Sequence, residues 1–135
     1  QAERLPEASE IADVLTCTNA FHLVRDAPAA LAEFRRVLKP QGVLVIIDWS
    51  TDRAWMRLRT TLMKLVDQHP RQVRRLAALA QLVSDAGFTI ECRDQFTAPG
   101  RWGMMTVRAR SPRIPRPQQP QRVTPPLTCR QPQFQ

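Results

Sequence analysis

The spacing of apolar and polar residues in the first third of the chain predicts a strand, a helix and a second strand. A run rich in β-branched residues at 11–17 is typical of a strand buried on both faces. Between residues 30 and 38 apolar side chains recur every three or four positions, which predicts an amphipathic helix that Asp26 caps. The segment 40–42 contains proline and glycine and is expected to end this helix. The apolar run 43–47 then predicts a central parallel strand.

The pattern further along predicts two helices followed by a hairpin. Apolar residues at helical spacing predict one helix that Asp52 caps and another at about 71–86. Gly87 is expected to close the second of these helices in a left-handed conformation. The runs 89–96 and 102–110 flank a turn with adjacent proline and glycine, so they predict two antiparallel strands.

The composition changes abruptly after residue 110. Residues 111–135 hold seven prolines and six glutamines and show almost no apolar periodicity. Such a segment cannot bury enough apolar surface to offset the entropy that is lost on ordering. The sequence therefore predicts one α/β domain at 1–110 and a disordered tail at 111–135.

The charge of the chain raises the question of nucleic acid. The net charge is +8, and half of it comes from four arginines of the tail. The arginines of the central helices accompany no aromatic interleaving and no nucleic-acid motif, so a solvated helix face is the expected role for them. Nucleic acid is therefore not an expected partner, and a phosphate-binding patch is the alternative. The arginines concerned are Arg53, Arg57, Arg59, Arg71, Arg74 and Arg75.

The cysteines and the hydropathy of the chain narrow the class of protein. Cys17, Cys92 and Cys129 are odd in number, far apart and without C-x-x-C spacing, which indicates reduced thiols in a cytoplasmic protein. The same spacing gives no reason to expect a zinc site or another metal site. No run of about 18 apolar residues occurs, so no membrane span is expected.

One stretch resembles a known family closely. Residues 31–48, Leu-Ala-Glu-Phe-Arg-Arg-Val-Leu-Lys-Pro-Gln-Gly-Val-Leu-Val-Ile-Ile-Asp, resemble the second half of the class I S-adenosylmethionine (SAM)-dependent methyltransferase domain. The opening residues 1–6, Gln-Ala-Glu-Arg-Leu-Pro, resemble the segment before the fourth strand of that family. The order of elements looks like strands four to seven of its Rossmann-like sheet. The resemblance implies SAM as cofactor and, for the bacterial type it looks most like, a small-molecule methyl acceptor.

The resemblance also implies which residues bind the cofactor. Gln1 stands where the family has an acidic residue for the adenine amino group, and its amide oxygen can accept the same hydrogen bond. Ala2 lies beside it. The loop after the first predicted strand resembles the family's motif beside the methionine portion of the cofactor, and it contributes Asn19, Ala20 and Phe21.

The candidate catalytic residue is His22, in the same loop, since histidine exchanges protons near neutral pH. Packing or a local hydrogen bond is the alternative role. Open α/β sheets bind ligands beyond the carboxyl ends of their strands, so Asp48, Trp49 and Ser50 are expected to face the substrate, together with Trp55. For Asp48 the alternative is a cap at the approach to the next helix. For the tryptophans it is a place in the core or at an interface.

The glycine-rich turn of the family is missing from this sequence. In the family the first strand ends in a turn of the form G-x-G-x-G. This sequence has four glycines, and no two of them are separated by a single residue, so none forms even a G-x-G. Strands one to three are therefore expected to lie outside this chain and to leave an unpaired sheet edge. Alone, the chain is expected to have little or no methyltransferase activity, with a complementary N-terminal half as partner.

Two other functions remain open at this point. The chain could be a non-catalytic interaction module that pairs through its exposed sheet edge or binds an acidic partner through its basic tail. It could also be a truncated gene product without a function of its own.

Overall fold

The computed structural model describes residues 1–66 and 72–113, which form a mixed α/β structure. The elements in chain order are β1 (Ala12–Thr18), a short 3₁₀ helix (Phe21–Leu23), α1 (Ala27–Val37), β2 (Leu38–Trp49), α2 (Ala54–Val66), α3 (Leu76–Asp85), β3 (Thr89–Ala98) and β4 (Trp102–Arg110).

The four strands make one sheet in the order β1-β2-β4-β3. β1 and β2 run parallel, whereas β4 runs antiparallel to both of its neighbours. The predicted hairpin at the end of the domain is confirmed, and its turn places Gly100 and Arg101 at positive φ. β1 therefore forms one edge of the sheet and β3 the other.

α1 begins where the sequence predicts. The Asp26 carboxylate accepts a hydrogen bond from the Ala29 N–H at 3.0 Å, which satisfies one of the free donors of the first turn. Ala30, Leu31 and Phe34 lie on the helix face that packs on the sheet, and all three are buried. Burial of a leucine or phenylalanine side chain contributes about 1.5–3 kcal/mol relative to exposure, so this face holds the helix in place.

The end of α1 differs from the prediction. The helix ends at Val37 and β2 starts directly at Leu38, so the expected turn at 40–42 lies inside the strand. Pairing advances there by two residues on β1 but by five on β2, which makes 40–42 a bulge. Gln41 has a φ of 67°, a conformation that glycine adopts at lower cost.

The end of α3 follows its predicted chemistry. Gly87 has a φ of 88° and its N–H donates to the Ser84 carbonyl at 2.9 Å. The Phe88 N–H donates to the Val83 carbonyl, and the Phe88 ring is buried against the helix. These two bonds form a Schellman motif, which satisfies carbonyls that the helix leaves free. The predicted start near residue 71 is wrong, because residues 72–75 are not helical and α3 starts at Leu76.

Asp52 has a different role from the predicted one. Its carboxylate accepts from the Leu76 N–H at 2.8 Å and from the Gln95 side-chain amide at 2.5 Å. The residue therefore ties the β2–α2 loop to the first turn of α3 and to β3. α2 itself is anchored by Met56, which packs where Gly103 has no side chain: a Cβ on Gly103 would lie 3.0 Å from Met56 Cγ.

The N-terminal segment is fastened to α1 by one ion pair. Arg36 donates to both Glu33 carboxylate oxygens at 2.9 Å and to the carbonyls of Leu5 and Glu7. Glu33 also accepts from the Leu5 N–H at 3.0 Å. The hydrogen bond from Arg36, followed by the one from the Leu5 backbone, lowers the pKa of Glu33 from 4.5 to about 2.

This lowered pKa predicts a pH effect on stability. Glu33 contributes stability above its ordinary pKa of 4.5, and that contribution is expected to disappear as the pH falls towards about 2. Glu33→Gln should therefore lose less stability than the parent between these pH values. The measurement is the urea midpoint of both proteins at a series of pH values. In high salt, which screens the ion pair, the difference in midpoint between the parent and Glu33→Gln should become smaller. Parallel curves for the two proteins would contradict the prediction.

The outer edge of β1 has no neighbouring strand among the described residues. Val14 of β1 and Ile11 just before it each expose 57% of their surface, so the prediction that this strand is buried on both faces is wrong in this structure, where β1 lies at the sheet edge. Within the described ranges, no helix combines the length and the apolar character that crossing a membrane requires.

The boundary predicted after residue 110 is only partly visible. Ser111 is buried, and its N–H donates to the Gly42 carbonyl at 2.8 Å. It therefore packs with the domain, although the sequence assigned it to the tail. Residues 114–135 of the predicted disordered tail lie outside the described residues, so that part stays a prediction.

Candidate active site

The candidate site lies at the carboxyl ends of β1 and β2. These strands are parallel neighbours, so the loops that follow them meet at one end of the sheet. The loop after β1 turns sharply at Asn19, which has a φ of 52°, and its N–H remains bonded to the Ile47 carbonyl of β2 at 2.8 Å. The next residues form the 3₁₀ helix, which brings His22 over the end of β2.

His22 and Asp48 form a buried hydrogen-bonded pair. His22 Nδ1 lies 2.6 Å from Asp48 Oδ1, and the His22 backbone N–H donates to Asp48 Oδ2, also at 2.6 Å. The side chains expose only 4% and 2% of their surface. A carboxylate can only accept hydrogen bonds, so Nδ1 carries the ring proton. In the neutral ring Nε2 is then a proton acceptor.

The Nε2 atom of His22 is the ring nitrogen that does not face Asp48. It has no hydrogen-bond partner in the described part of the chain, and that part contains no buried side-chain nitrogen or oxygen without a partner. The atom therefore keeps at least a small exposure to solvent, in a side chain that is otherwise buried. A histidine held at Nδ1 by a carboxylate, with an accessible Nε2, has the arrangement that a general base needs.

Aromatic stacking fixes the plane of the His22 ring. Trp49 stacks on it with the ring centres 4.4 Å apart and the planes inclined by 15°. The ring centre of Trp102, at the start of β4, lies 4.8 Å from the ring centre of Trp49. Arg59 of α2 covers Trp102, with the guanidinium carbon 3.7 Å from the ring centre, within range of a cation–π interaction. This column joins α2, β2 and β4 to the histidine.

Three of the predicted site residues have other positions than expected. Asp48 is 1% exposed and its oxygens bind His22 and the Trp49 N–H, so it can reach a substrate only through the histidine. Ser50 is buried, its hydroxyl donates to Asp52, and its N–H donates to Gly103. The Phe21 ring is 1% exposed and packs on Phe34 in the core, because the 3₁₀ turn points it inward. Its side chain cannot line a ligand site.

Trp55 lies apart from the histidine. Its ring centre is 5.9 Å from the guanidinium carbon of Arg59, and it is half-buried on α2. It therefore belongs to the outer end of the aromatic column. Its predicted contact with the methyl acceptor near His22 stays a prediction.

Three of the five residues predicted to bind the cofactor line a cavity of about 670 Å³ that follows β1. Gln1, Ala2 and Ala20 all line it, and Asn19 follows directly on β1. The volume falls within the range of small-molecule sites. Cys17 lines the same cavity, and burial, followed by the field of Asp48, raises the pKa of its thiol to about 11. At neutral pH this thiol therefore remains protonated and contributes no charge.

Two residues of the site were missed at the sequence level. Trp102 lies in the hairpin, more than fifty residues from Trp49, and only the pairing of β2 with β4 brings the two together. Arg74 was grouped with the solvated arginines, but it is half-buried, 5.5 Å from the Phe21 ring centre. Burial lowers the pKa of Arg74, and the field of Asp48 opposes that shift. No local sequence signal distinguishes Arg74 from Arg75, which is exposed.

No metal site contributes to this arrangement in the described ranges. There, no group of three or more histidine, cysteine, aspartate or glutamate side chains could hold an ion.

The fold is shared with solved methyltransferases. A provisionally named methyltransferase from Bacillus halodurans has a TM-score of 0.69 at 20% identity, and 83% of this chain matches 69% of that chain. A SAM-dependent methyltransferase from Methanosarcina mazei has a TM-score of 0.71 at 16% identity, with 84% of this chain matching 66% of that one. A Thermotoga maritima SAM-dependent methyltransferase, named a possible histamine N-methyltransferase, has a TM-score of 0.71 at 20% identity, and the matched shares are 82% and 61%.

The chain thus spans about two thirds of the length of these proteins. No curated protein matches the sequence. The family model described as methyltransferase domain matches residues 1–93, which is more than half of the chain. The chain therefore belongs to the methyltransferase domain family, whose cofactor is SAM.

Proposed function

We propose that this chain forms the acceptor half of a SAM-dependent methyltransferase that acts on a small molecule with an O–H or N–H group. The buried His22–Asp48 pair carries this proposal, because its accessible Nε2 can take the proton that such a group releases. Asp48 holds the ring in the tautomer that leaves Nε2 as acceptor, and Trp49 holds its plane.

The cavity along β1 supports a site for part of the cofactor. The Gln1 side-chain oxygen can accept from an adenine amino group, and the small side chains of Ala2 and Ala20 leave room for the ligand. Asn19 completes the set that would hold SAM. The bound cofactor supplies a methyl group on a positively charged sulfur. The chain's own residues position the acceptor and remove its proton, and such positioning supplies a large part of catalysis.

We further infer that β1 to β4 correspond to strands four to seven of the family's sheet. The open edge of β1 is where the family's first strand would pair, and about a third of the length of the related structures lies outside the match with this chain. A complementary N-terminal half with the glycine-rich turn is then the partner of this edge. Without it most contacts to SAM are missing, and the chain alone is expected to show little or no turnover.

The experiment is a calorimetric titration of SAM and S-adenosylhomocysteine into two proteins: the chain alone, and the chain fused to the glycine-rich half of a related methyltransferase domain. Binding at micromolar strength, about −8 kcal/mol, is expected for the fusion and not for the chain alone. Ala20→Trp should abolish binding by filling the cavity, whereas Ala78→Trp, on the exposed face of α3, should not. A folded fusion that binds neither compound would overturn the proposed function.

The open edge of β1 also supports a second function, a non-catalytic module that pairs its edge with another chain. Unpaired strand edges with exposed apolar side chains are templates for such pairing. The test is sedimentation of the chain at rising concentration. If the chain self-associates, if Val14→Lys abolishes this association, and if the fusion does not bind SAM, the results would favour the module over the enzyme.

A further inference from the structure

Arg74 lies beside the candidate catalytic pair, between the loops that follow β1 and β2. Its backbone carbonyl accepts from the Thr51 N–H at 3.0 Å, which ties it to the end of β2. Two residues earlier, the Gln72 N–H donates to the His22 carbonyl at 2.7 Å. Its guanidinium carbon is 5.5 Å from the ring centre of Phe21, the neighbour of His22. These contacts place Arg74 in the same group of loops as the histidine.

Among the residues that the structure describes, no carboxylate forms an ion pair with Arg74. The acid whose field reaches it is Asp48, but the oxygens of Asp48 are taken by His22 and by the Trp49 N–H. A half-buried cation without a counter-charge is unfavourable, so an anion that enters the site gains more here than at a solvated arginine.

The guanidinium also keeps free donors. A guanidinium has five N–H groups. Arg74 uses one to bond the Gln72 carbonyl at 3.1 Å and one to bond the Gln72 side-chain oxygen. These two bonds hold the planar group in a fixed orientation and leave three N–H donors. Two adjacent donors of a guanidinium match the two oxygens of a carboxylate.

We propose that Arg74 binds a carboxylate of the methyl acceptor, so that the acceptor is a carboxylic acid whose O–H or N–H group lies at His22 Nε2. This inference rests on the proposed function, since it names the substrate class of the same site. It makes Arg74 the residue that determines specificity: it selects the acid over its neutral amide and orients it towards the histidine.

The test is an NMR titration of the full chain with benzoate, and with benzamide as the neutral molecule of the same shape. Benzoate is expected to shift the Arg74 Nε–H signal and the Gln72 amide signal saturably, and benzamide is not. Arg74→Gln should weaken benzoate binding at least about tenfold, the size expected for a lost charge-assisted pair. Arg75→Gln, an exposed neighbour, should leave it unchanged. Equal shifts by benzoate and benzamide, or unchanged binding by Arg74→Gln, would overturn the proposal.

Two further arms make the outcome unambiguous. L-methionine tests the other source of a carboxylate, the amino-acid end of the cofactor: benzoate should bind more tightly, and the reverse order would assign Arg74 to the cofactor. If Arg74→Gln does not fold, Arg74→Lys keeps the charge but not the two-pronged geometry, and it should still weaken benzoate binding. The NMR titration needs no SAM. Benzoate can therefore bind at Arg74 even if the calorimetric test finds no SAM binding, and SAM can bind the fusion even if benzoate does not bind at Arg74.

Discussion

Replacing Asp48 by alanine is expected to lower the free energy of unfolding by about 3 kcal/mol or more, because each buried donor that loses its acceptor costs about 1–3 kcal/mol. The carboxylate accepts three hydrogen bonds, from the His22 N–H, from His22 Nδ1 and from the Trp49 N–H, at 2.6, 2.6 and 2.7 Å. Alanine removes this acceptor from two buried donors of His22 and from the part-buried Trp49 N–H. Because domains are stable by only about 5–15 kcal/mol, this one change should shift the urea midpoint strongly.

Asp94→Ala is the matched control for this measurement. The Asp94 carboxylate accepts from the N–H of the next residue at 2.7 Å, as Asp48 does, but it is exposed and its side chain has no such buried partner. Its loss should change stability by no more than about 0.5 kcal/mol. Asp48→Asn keeps the shape and one acceptor oxygen, so it should fall between the two. If Asp48→Ala matched Asp94→Ala, the buried pair would not hold the end of β2.

Elements whose ends depend on one residue's own chemistry were predictable from the sequence. Asp26 starts α1 because its side chain bonds an N–H three residues later, and Gly87 ends α3 because glycine tolerates positive φ. Both effects act within one turn of chain. The order of strands and helices followed in the same way from the period of the apolar residues.

The boundary between α1 and β2 was not predictable in this way. Pro40 and Gly42 favour a turn, but Leu38 before them and Val43 after them both pair with β1, so the strand continues through this segment as a bulge. The Ser111 N–H donates to the Gly42 carbonyl from 69 residues further along the chain. Tertiary pairing overrides local preference here, and local preference is all that a pattern reports.

The position of the candidate site was predictable, whereas the roles of its residues were not. The rule that ligands bind beyond the carboxyl ends of parallel strands located His22 and Asp48 correctly at one end of the sheet. It could not show that Asp48 is buried beneath the histidine, because exposure depends on what covers the strand end. Trp102 and Arg74 come from distant parts of the chain, and only the folded sheet brings them to the site.

In the domain completed by a glycine-rich half, His22→Ala is expected to lower the rate of methyl transfer by about 10²–10⁴-fold, the range for losing a general base. SAM affinity should change little, since the cavity along β1 is lined by other residues. The measurement is single-turnover transfer of a labelled methyl group, with calorimetry of SAM binding on the same proteins. His22→Gln keeps a polar side chain of similar size and should be nearly as slow, because an amide does not take up a proton at neutral pH.

Trp49→Phe separates proton transfer from positioning. Phenylalanine keeps an aromatic face under the histidine but reaches less far towards Trp102, so the His22 ring loses part of its support. If His22 is a general base that Trp49 orients, Trp49→Phe should lower the rate of methyl transfer, but by less than His22→Ala. If His22→Ala transferred methyl groups at the parent rate, the histidine would only pack, and the sulfonium of SAM would need no base from this chain.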